Sequence, residues 1–446
     1  MKRRDFIKIS GAAALAAACA PKSGNKQPAP EGPEAMVYRE NPLNGDSVSL
    51  LGFGCMRWPM IKDAEGKDVI DQDAVNEMVD YAIEHGVNYF DTSPAYLQGQ
   101  SEKAAGIALS RYPRDSYYLA TKLSNFGDAS AQASIQMYKD SFQQLKTDYF
   151  DYYLLHAIGR GGKDAFEQRY VKNGLVPFLL EEKKAGRIRN LGFSFHGAQH
   201  EFDYFMELHD SGQLVWDFVQ IEMNYVDWKH ADGVRNVNAD YLYQQLDKRG
   251  LPIVIMEPLL GGRLANVPEG ISRQMKEREP DKSIASWAFR FCGTYPRILC
   301  TLSGMTNMDP LKDNIHTFGH FQPLTEEELA FLEQMATQMK EYPLINCTDC
   351  KYCMPCPWGI DIPGTFQHYN RAITEGTYAQ SREQKDYAKL KKAYLVSYDR
   401  AVATVRQADH CISCAECVSH CPQSIPIPGQ LRRIARYIEQ LKQDTL

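Results

Sequence analysis

The sequence predicts an α/β protein in which a (β/α)8 barrel is followed by a small, mainly helical domain. Eight short β-rich runs alternate with helical patterns between residues 48 and 306. Strict alternation predicts a parallel sheet, and eight repeats predict that the sheet closes into a barrel. Eight of the twelve cysteines lie in the last hundred residues, which indicates a separate domain there. We therefore expect a leader and tether at 1–36, the barrel at 37–340 and the second domain at 341–446.

The composition is close to that of an average globular protein. The 446 residues carry a formal net charge of −6, with 44% hydrophobic and 24% charged residues. These values argue against a wholly disordered, collagen-like or multi-pass membrane chain. The mildly acidic balance gives no electrostatic reason to expect a nucleic-acid partner.

The first twenty residues predict an export signal. Arg3 and Arg4 precede a weakly apolar stretch over residues 7–18, which is too short to span a bilayer as a mature helix. The paired arginines resemble a twin-arginine export signal. That resemblance implies a protein that folds, and loads any cofactor, before it crosses the membrane.

The next residues predict a lipid anchor and a tether. Ala16, Ala17 and Ala18 before Cys19 resemble a lipoprotein cleavage box, with an ordinary signal peptide as the alternative. Residues 20–34 are rich in Pro, Gly, Lys and Ala and predict a flexible tether. We expect an exported protein of the periplasm or cell envelope, attached to the membrane only through a lipid on Cys19.

Each β-rich run of the barrel region is followed by a helical pattern. The pattern over residues 73–85 has apolar residues at helical spacing and stops before Gly86. A doubly wound open sheet is the alternative, but no GxGxxG sequence follows an early strand. The predicted strands are residues 50–56, 89–91, 117–122, 150–156, 189–195, 218–224, 253–259 and 298–304.

Four ionisable side chains lie at or just beyond the ends of consecutive predicted strands. Asp91 ends the second strand, Lys122 the third and His156 the fourth, and Tyr96 lies five residues beyond Asp91. The carboxyl ends of barrel strands meet at one mouth, where barrel enzymes keep their active sites. We therefore predict that these four side chains converge on a catalytic site.

Carbonyl reduction is the chemistry that these residue types favour. A free phenol titrates near pH ~10, and the neighbouring ammonium group of Lys122 is expected to lower the pKa of Tyr96. Asp91 would hold Lys122 as an ion pair, and His156 would donate a hydrogen bond to a substrate carbonyl. Hydride would then arrive at the carbonyl carbon while Tyr96 protonates the oxygen.

These residues stand in motifs that resemble the aldo/keto reductase family, whose fold is this barrel. The motifs are NYFDTSPAY at 88–96, YLATKL at 118–123, DYYLLH at 151–156, GFS at 192–194, QIEMN at 220–224, EPLLGGRL at 257–264 and SGM at 303–305. The resemblance covers about residues 37–335 and implies the roles given above to the four side chains. It also implies a nicotinamide cofactor, NADP in preference to NAD, extended across the barrel mouth.

The resemblance further assigns residues to that cofactor. Ser194 and Gln220 would hold the carboxamide, Leu259, Gly261 and Ser303 would line the pyrophosphate, and Asp313 and Asn314 would meet the adenine. The sequence departs from the family at Met256, where an aromatic residue often stacks on the nicotinamide. It also has Gly304 and Pro310 where basic residues often grip the 2′-phosphate, which leaves Lys312 and Arg263 as substitutes.

The cysteine runs predict iron–sulfur clusters. The first run reads C-x2-C-x2-C-x2-C and the second C-x2-C-x2-C-x3-C, each followed by proline, and the second matches the bacterial ferredoxin pattern. In two-cluster ferredoxins the fourth cysteine of each run serves the other cluster. We therefore predict two [4Fe–4S] clusters, one held by Cys347, Cys350, Cys353 and Cys421 and the other by Cys411, Cys414, Cys417 and Cys356. Paired zinc sites are the alternative.

The remaining residues of note have structural interpretations. Cys55, Cys292 and Cys300 lie in apolar barrel segments and are expected in the core. Residues 378–406, between the two cysteine runs, predict a charged helix, and Trp358 is expected to pack against its neighbours.

The leading hypothesis is an exported NAD(P)-dependent oxidoreductase that interconverts an alcohol and a small carbonyl compound, which is an aldehyde, a ketone or a sugar-like molecule. Nicotinamide transfers two electrons as hydride whereas each cluster takes one, so the clusters are either structural or serve a flavin- or quinone-bearing redox partner. Because free nucleotide is not expected outside the cytoplasm, we expect it to be bound before transport. The alternatives are an exported electron-transfer protein whose barrel docks a redox partner, and a sugar-binding protein.

Overall fold

The computed structural model describes residues 36–231 and 236–446. The predicted export signal, Cys19 and the tether lie outside these residues. Within the described part of the chain, no helix is both long and apolar enough to cross a membrane.

Eight strands form one closed barrel in which every neighbouring pair is parallel. They follow one another around the barrel in chain order, and the last strand pairs with the first. The barrel strands are β3 (Leu51–Gly54), β6 (Tyr89–Asp91), β7 (Tyr118–Leu123), β8 (Phe150–Ile158), β9 (Ile188–Phe195), β10 (Phe218–Glu222), β11 (Ile253–Met256) and β12 (Ile298–Ser303). The predicted (β/α)8 barrel is confirmed, and each strand overlaps its predicted run.

Two antiparallel hairpins flank the barrel strands. The first pairs β1 (Tyr38–Glu40) with β2 (Ser47–Ser49), and the second pairs β4 (Met60–Lys62) with β5 (Asp68–Ile70). Val48 of β2 belongs to the cluster of buried side chains inside the barrel, so the first hairpin helps to close the amino-terminal end.

Side chains fill the interior of the barrel, because alternate residues of each strand point inward. The ring of Tyr152 lies 5.2 Å from that of Tyr89 and 4.9 Å from that of Phe218, measured between ring centroids. Cys300 belongs to the same buried cluster. A packed interior leaves the mouth formed by the carboxyl ends of the strands as the place for a site.

Helices surround the barrel because each offers an apolar stripe to the strands. In α1 (Gln72–Glu84) the side chain of Asp71 accepts a hydrogen bond from the N–H of Ala74 and begins the helix, and Val75 and Met78 are buried. The other helices of the barrel region are α2 (Ser101–Leu109), α3 (Ala131–Leu145), α4 (Gly162–Phe166), α5 (Leu175–Lys184), α6 (Gln199–Asp210), α7 (Asp227–His230), α8 (Ala239–Lys248), α9 (Glu269–Arg278), α10 (Ile284–Thr294), α11 (Met308–Gly319) and α12 (Glu326–Met339).

The C-terminal domain is mainly helical, as predicted. It contains α13 (Ile362–Thr374), α14 (Tyr387–Ala401) and α15 (Ile427–Gln443), and the two cysteine runs lie in the loops before α13 and α15. Its core is rich in tyrosine, and the fully buried ring of Tyr394 lies 4.9 Å from that of Tyr437.

Two details of this domain differ from the prediction. The helix expected over residues 378–406 spans only Tyr387–Ala401, and Tyr378 lies outside it and stacks on Tyr437 at 4.4 Å. Trp358, which was expected to pack, is 55% exposed. By contrast, the three cysteines predicted to lie in the core of the barrel region are completely buried.

Candidate functional site

The four predicted catalytic side chains lie together at the barrel mouth. Nζ of Lys122 at the end of β7 donates hydrogen bonds to Oδ1 of Asp91 and, at 2.9 Å, to the carbonyl oxygen of Thr92. The same Nζ lies 4.9 Å from the ring centroid of Tyr96. The Tyr96 ring in turn meets that of His156 edge-on, with the centroids 5.8 Å apart. The ends of three consecutive strands therefore place an acid, a base and a phenol in one group.

Burial controls the ionisation of Asp91 and Lys122. Lys122 is completely buried and Asp91 is 2% exposed. Burial raises the pKa of Asp91 against the opposing effect of Lys122, and burial lowers the pKa of Lys122 against the opposing effect of Asp91. Their direct hydrogen bond favours the ion pair, so the two charges compensate each other.

The structure corrects the pKa expected for Tyr96. Burial raises the pKa of the phenol well above 10, and Asp91 and Tyr352 raise it further. Burial and the negative charge of Asp91 together outweigh the effect of the Lys122 ammonium group on the pKa of Tyr96. Tyr96 is therefore protonated at neutral pH, which suits a group that donates a proton to a carbonyl oxygen.

His156 is neutral and is oriented by two serines. Its Nδ1 lies 2.5 Å from Oγ of Ser124 and 3.3 Å from Oγ of Ser93. Burial lowers the pKa of His156 well below 6.5, and the charge of Lys122 lowers it further. When the Ser124 hydroxyl donates to Nδ1, the ring proton lies on Nε2, from which it can be donated to a substrate oxygen.

The residues expected to hold the nicotinamide carboxamide lie next to this group. Nε2 of Gln220 donates to Oδ2 of Asp91 at 3.2 Å, and Oγ of Ser194 accepts a hydrogen bond from the N–H of Ala157 at 2.8 Å. Both side chains are almost completely buried. The structure therefore joins Gln220 to the predicted catalytic group through Asp91.

The residues expected to hold the rest of the nucleotide lie farther along the mouth. Nδ2 of Asn314 donates to Oγ of Ser303 at 2.9 Å, which joins one residue assigned to the adenine to one assigned to the pyrophosphate. Asp313 is next to Asn314 on α11. Leu259 and Gly261 lie in the turn after β11, where Gly261 is packed against Thr348.

The eight cysteines of the two runs gather into two sets, each with one cysteine from the other run. We name Cys347, Cys350, Cys353 and Cys421 the inner cysteine set, because all four line one cavity that faces the barrel side of the domain. We name Cys356, Cys411, Cys414 and Cys417 the outer cysteine set. Burial raises the pKa of Cys417 to about 11, and the thiols of Cys356, Cys414 and Cys411 are close enough to raise it further. This arrangement matches the predicted exchange of the fourth cysteines.

The cysteine sets fit iron–sulfur cubes better than single metal ions. The eleven cysteines of the described residues are free thiols. Among residues 36–231 and 236–446, no three His, Cys, Asp or Glu side chains converge tightly enough to hold one metal ion. A four-iron cube bonds each thiolate to a different iron, so its ligands stand farther apart than those of zinc. Burial raises the pKa of Cys350 to about 11, so cluster assembly there releases a proton from the thiol.

The C-terminal domain is bonded to the barrel around its mouth. Nε2 of Gln423 donates to both carboxylate oxygens of Glu222, at 3.0 and 3.1 Å. Arg160, in the loop after β8, donates to the carbonyl oxygen of Ser419 at 2.7 Å. Gln423 and Ser419 each lie two residues from Cys421, so one edge of the inner cysteine set is fixed to the ends of the barrel strands.

The loop of the first cysteine run reaches the predicted catalytic group. Tyr352, between Cys350 and Cys353, has its ring 6.5 Å from that of His156 and 6.3 Å from that of Phe126. Burial raises the pKa of Tyr352 above its usual range, and the neighbouring Cys350 thiol raises it further. The inner cysteine set is thus the one whose loop reaches His156 and Tyr96, through Tyr352.

Comparison with known proteins identifies both parts of the chain. A family model described as aldo/keto reductase family matches residues 50–337, more than half of the sequence. The chain belongs to the aldo/keto reductase family. It is an oxidoreductase of this family. It also has a C-terminal region, in which residues 346–425 match a 4Fe-4S dicluster domain.

Related oxidoreductases match part of this chain. L-galactose dehydrogenase of Arabidopsis thaliana is 26% identical over 317 residues, which are 66% of this chain and 93% of that protein. The oxidoreductase YqkF of Bacillus subtilis is 24% identical over 65% of this chain and 94% of its own length. D-arabinose 1-dehydrogenase of Saccharomyces cerevisiae is 31% identical over 34% of this chain and 45% of that protein.

Solved structures share the fold of the barrel. The holo form of the aldo-keto reductase AKR11C1 of Bacillus halodurans has a TM-score of 0.53 and 22% identity, and the match covers 67% of this chain and 96% of that one. A variant of Gox0644 solved in complex with NADPH has a TM-score of 0.51 and 21% identity over 68% of this chain and 94% of that one. At these identities the likeness is one of fold.

Several residues of the aldo/keto reductase site escaped sequence reasoning. Ser93 stands inside the DTSPAY motif and Ser124 lies two residues beyond Lys122, so both could have been found as polar residues at strand ends. Glu222 stands in the QIEMN motif, but its partner Gln423 lies two hundred residues away. Tyr352 gave no signal, because only the folded chain brings its loop to the barrel.

Proposed function

We propose that this aldo/keto reductase interconverts a small carbonyl compound and the corresponding alcohol at the group formed by Tyr96, Lys122, Asp91 and His156. One observation carries the proposal: the phenol of Tyr96 lies between the ammonium group of Lys122 and the ring of His156. The neutral His156 orients the carbonyl oxygen by a hydrogen bond, and Tyr96 exchanges a proton with it. Phe126 is exposed and Tyr96 is partly buried, which leaves an approach for the substrate from the side of Phe126.

The substrate class that we propose is sugar-like. The names of two relatives, L-galactose dehydrogenase and D-arabinose 1-dehydrogenase, refer to sugars that act in their reactions. An open-chain sugar carries an aldehyde, which this chemistry would reduce to an alcohol. A ring-form sugar carries a lactol hydroxyl group, which the reverse reaction would oxidise to a carbonyl. Both forms therefore belong in the substrate panel.

The two cysteine sets supply a route for electrons. Reduction of a carbonyl to an alcohol takes two electrons and two protons, and two [4Fe–4S] clusters that each accept one electron hold the number needed for one turnover. Tyr96 supplies the proton that bonds to the oxygen, and solvent water supplies the second proton, which bonds to the carbonyl carbon. We expect the outer cysteine set to exchange electrons with a separate redox partner, such as a flavoprotein or a membrane quinone system.

Substitution of Tyr96 tests the proposed reaction. The cluster-loaded protein is assayed anaerobically against aldehydes, ketones and aldoses, with NADPH, NADH or reduced methyl viologen as the donor. Tyr96→Phe removes only the hydroxyl group and is expected to lower kcat by about 10²- to 10⁴-fold, with its iron content unchanged. Tyr241→Phe is the control, because the Tyr241 hydroxyl bonds to Asp203 on the outside of the barrel. Full turnover by Tyr96→Phe would remove the proposed role of this side chain.

We further propose that the protein is exported by the twin-arginine route and anchored through Cys19. The proposal rests on Arg3, Arg4 and the small residues before Cys19. Replacement of both arginines by lysine is expected to keep the protein in the cytoplasm, and Cys19→Ala is expected to release exported protein from the membrane fraction. Unchanged fractionation of both variants would contradict the proposal.

A further inference from the structure

The groove that an extended dinucleotide would need is filled at its centre by the C-terminal domain. The turn after β11 carries Gly261, which the family resemblance assigns to the pyrophosphate. In the structure Gly261 is in contact with Thr348, and a Cβ added to Gly261 would collide with the backbone of Thr348. The space beside Gly261 is thus taken by main chain, which cannot move aside as a flexible side chain can.

The backbone donor that could bind a phosphate at this turn has a partner already. The N–H of Gly261 donates to Oε2 of Glu257 at 2.6 Å. Glu257 is the first residue of the EPLLGGRL motif, and its side chain takes the Gly261 N–H that the pyrophosphate was expected to use. A carboxylate repels a phosphate and competes for the same N–H groups, so this turn does not fit an anionic ligand.

Basic residues along the groove are bonded to the same loop. The guanidinium group of Arg57 donates to the carbonyl oxygen of Thr348 and forms an ion pair with Asp349 at 3.1 Å. Nη1 of Arg263, considered above as a substitute for binding the 2′-phosphate, donates to Oδ1 of Asn346 at 2.8 Å. These two guanidinium groups therefore hold residues 346–349 in place.

The nicotinamide end of the groove is narrowed as well. Tyr352 from the same loop lies over His156 and Phe126, and it is close enough to Tyr96 to affect the pKa of that phenol. The aromatic residue that often stacks on nicotinamide is replaced by Met256. Residues 346–352, which we name the mouth segment, therefore run along the path expected for the nucleotide, from its phosphates to its nicotinamide.

We infer that the mouth segment replaces the nicotinamide nucleotide in this protein, so that the folded, cluster-loaded chain does not bind NADP or NAD in its barrel. The inner cysteine set, of which Cys347 and Cys350 belong to the mouth segment, is then the redox group whose loop reaches Tyr96. The inference corrects the expectation of a nucleotide loaded before export. It rests on the proposed function only for the position of the substrate at Tyr96.

Nucleotide binding to the complete protein tests this inference. Anaerobically purified, cluster-loaded protein is titrated with NADPH and with NADH, and binding is followed by the fluorescence of the reduced nicotinamide. We expect no saturable binding at concentrations up to about 1 mM. Saturable binding of one nucleotide per chain, with the iron content intact, would overturn the inference.

A pair of charge reversals tests whether the mouth segment is the cause. Asp349→Lys places a positive charge against Arg57 and loosens the segment, while each residue that was predicted to bind the nucleotide is kept. Lys351→Glu is the matched control, because Lys351 lies in the same loop and is exposed. We expect saturable binding of NADPH to appear in Asp349→Lys and to stay absent in Lys351→Glu, with iron content measured for both. If Asp349→Lys retains its iron and binds no more nucleotide than the wild type, occlusion by the segment is refuted.

These outcomes are distinguishable from failure of the proposed function. Absence of carbonyl turnover with every donor would refute the proposed reaction and would leave the binding results unaffected. Carbonyl turnover with reduced methyl viologen but not with NADPH is the combination that agrees with both. NADPH-dependent turnover by the cluster-loaded wild type would uphold the reaction and refute the inference.

Discussion

The inner and outer cysteine sets each offer four cysteine ligands, but their surroundings differ. The inner set lies between α13 and the barrel mouth, and its loop contacts Arg57 and packs over His156. The outer set lies at the surface, where Cys414 is exposed and the neighbouring Ile412 is 55% exposed. The inner set therefore has the barrel site as its neighbour, whereas the outer set has the solvent or another protein.

This difference indicates the direction in which electrons would pass through the domain. An electron carrier at the surface can exchange electrons with a partner, and one whose loop reaches Tyr96 can exchange them with a substrate. The solvent exposure of a cluster is also one of the factors that set its reduction potential.

Removal of one ligand from the inner set should lower carbonyl turnover far more than removal of one ligand from the outer set. Cys350→Ala and Cys414→Ala replace the second cysteine of the first and second run. Each should lose about four of the iron atoms per chain. With reduced methyl viologen as donor, Cys350→Ala should lose carbonyl turnover to background, because the carrier whose loop reaches Tyr96 is gone, while Cys414→Ala should keep most of it. Equal losses in the two variants would contradict the distinction between inner and outer sets.

Two variants compare the stability contributed by an ion pair inside the barrel with that of an ion pair between the barrel and the C-terminal domain. Asp91→Asn leaves the completely buried Lys122 without its charged partner, and the free energy of unfolding should fall by about 3–5 kcal/mol. Asp349→Asn removes the partly exposed ion pair with Arg57 and should cost about 0–1 kcal/mol. Urea unfolding followed by tryptophan fluorescence measures both. Similar losses would show that the barrel pair is not buried as described.

Acid should destabilise both domains through a partly buried histidine, His196, and a buried one, His368. Burial lowers the pKa of His196 in the barrel to about 3 and that of His368 on α13 to about 4. Between these values and 6.5, the value of an unperturbed histidine, the unfolded chain binds more protons than the folded one. Their stabilising effect is therefore present above pH 6.5 and is lost as the pH falls, by about 1.4 kcal/mol per pH unit for each residue.

Thermal unfolding at pH 7 and pH 5 measures this effect. His368→Gln should reduce the fall in Tm between the two pH values, because it removes one of the titrating groups. A fall identical to that of the wild type would show that His368 does not contribute. His156 should add no limb near pH 6.5 to the pH profile of turnover, because its pKa is lowered well below that value.

The smallest effect is expected at the solvent side of the domain. Trp358→Ser changes a side chain that is 55% exposed, so the free energy of unfolding should change by less than about 0.5 kcal/mol. Iron content and turnover with a small donor should also be unchanged. A large loss of iron in this variant would mean that the tryptophan shields the outer cysteine set.

The sequence was sufficient for the features that follow from local pattern. Eight alternating runs predicted the barrel, and the rule that sites lie at the carboxyl ends of strands brought Asp91, Lys122 and His156 together before the fold was known. The spacing of the cysteines with their prolines predicted the two sets and the exchange of the fourth cysteines. These features depend on residues that are close in sequence or on a repeat that fixes the topology.

Features that depend on contacts between distant residues were missed. The pKa of Tyr96 was expected to fall because of Lys122, but burial and the negative charge of Asp91 determine it instead. Tyr378 lies outside its predicted helix and stacks on Tyr437. The contact of Thr348 with Gly261 joins residues nearly ninety positions apart, and nothing in either local sequence indicates it.

The most direct test of the account is the nucleotide and iron content of protein isolated anaerobically, measured on the same sample. We predict about eight iron atoms per chain and no bound nicotinamide nucleotide, because the clusters occupy their two cysteine sets while the mouth segment occupies the groove. One NADP or NAD per chain together with the full iron content would contradict the account, since both could then be held in the same folded molecule.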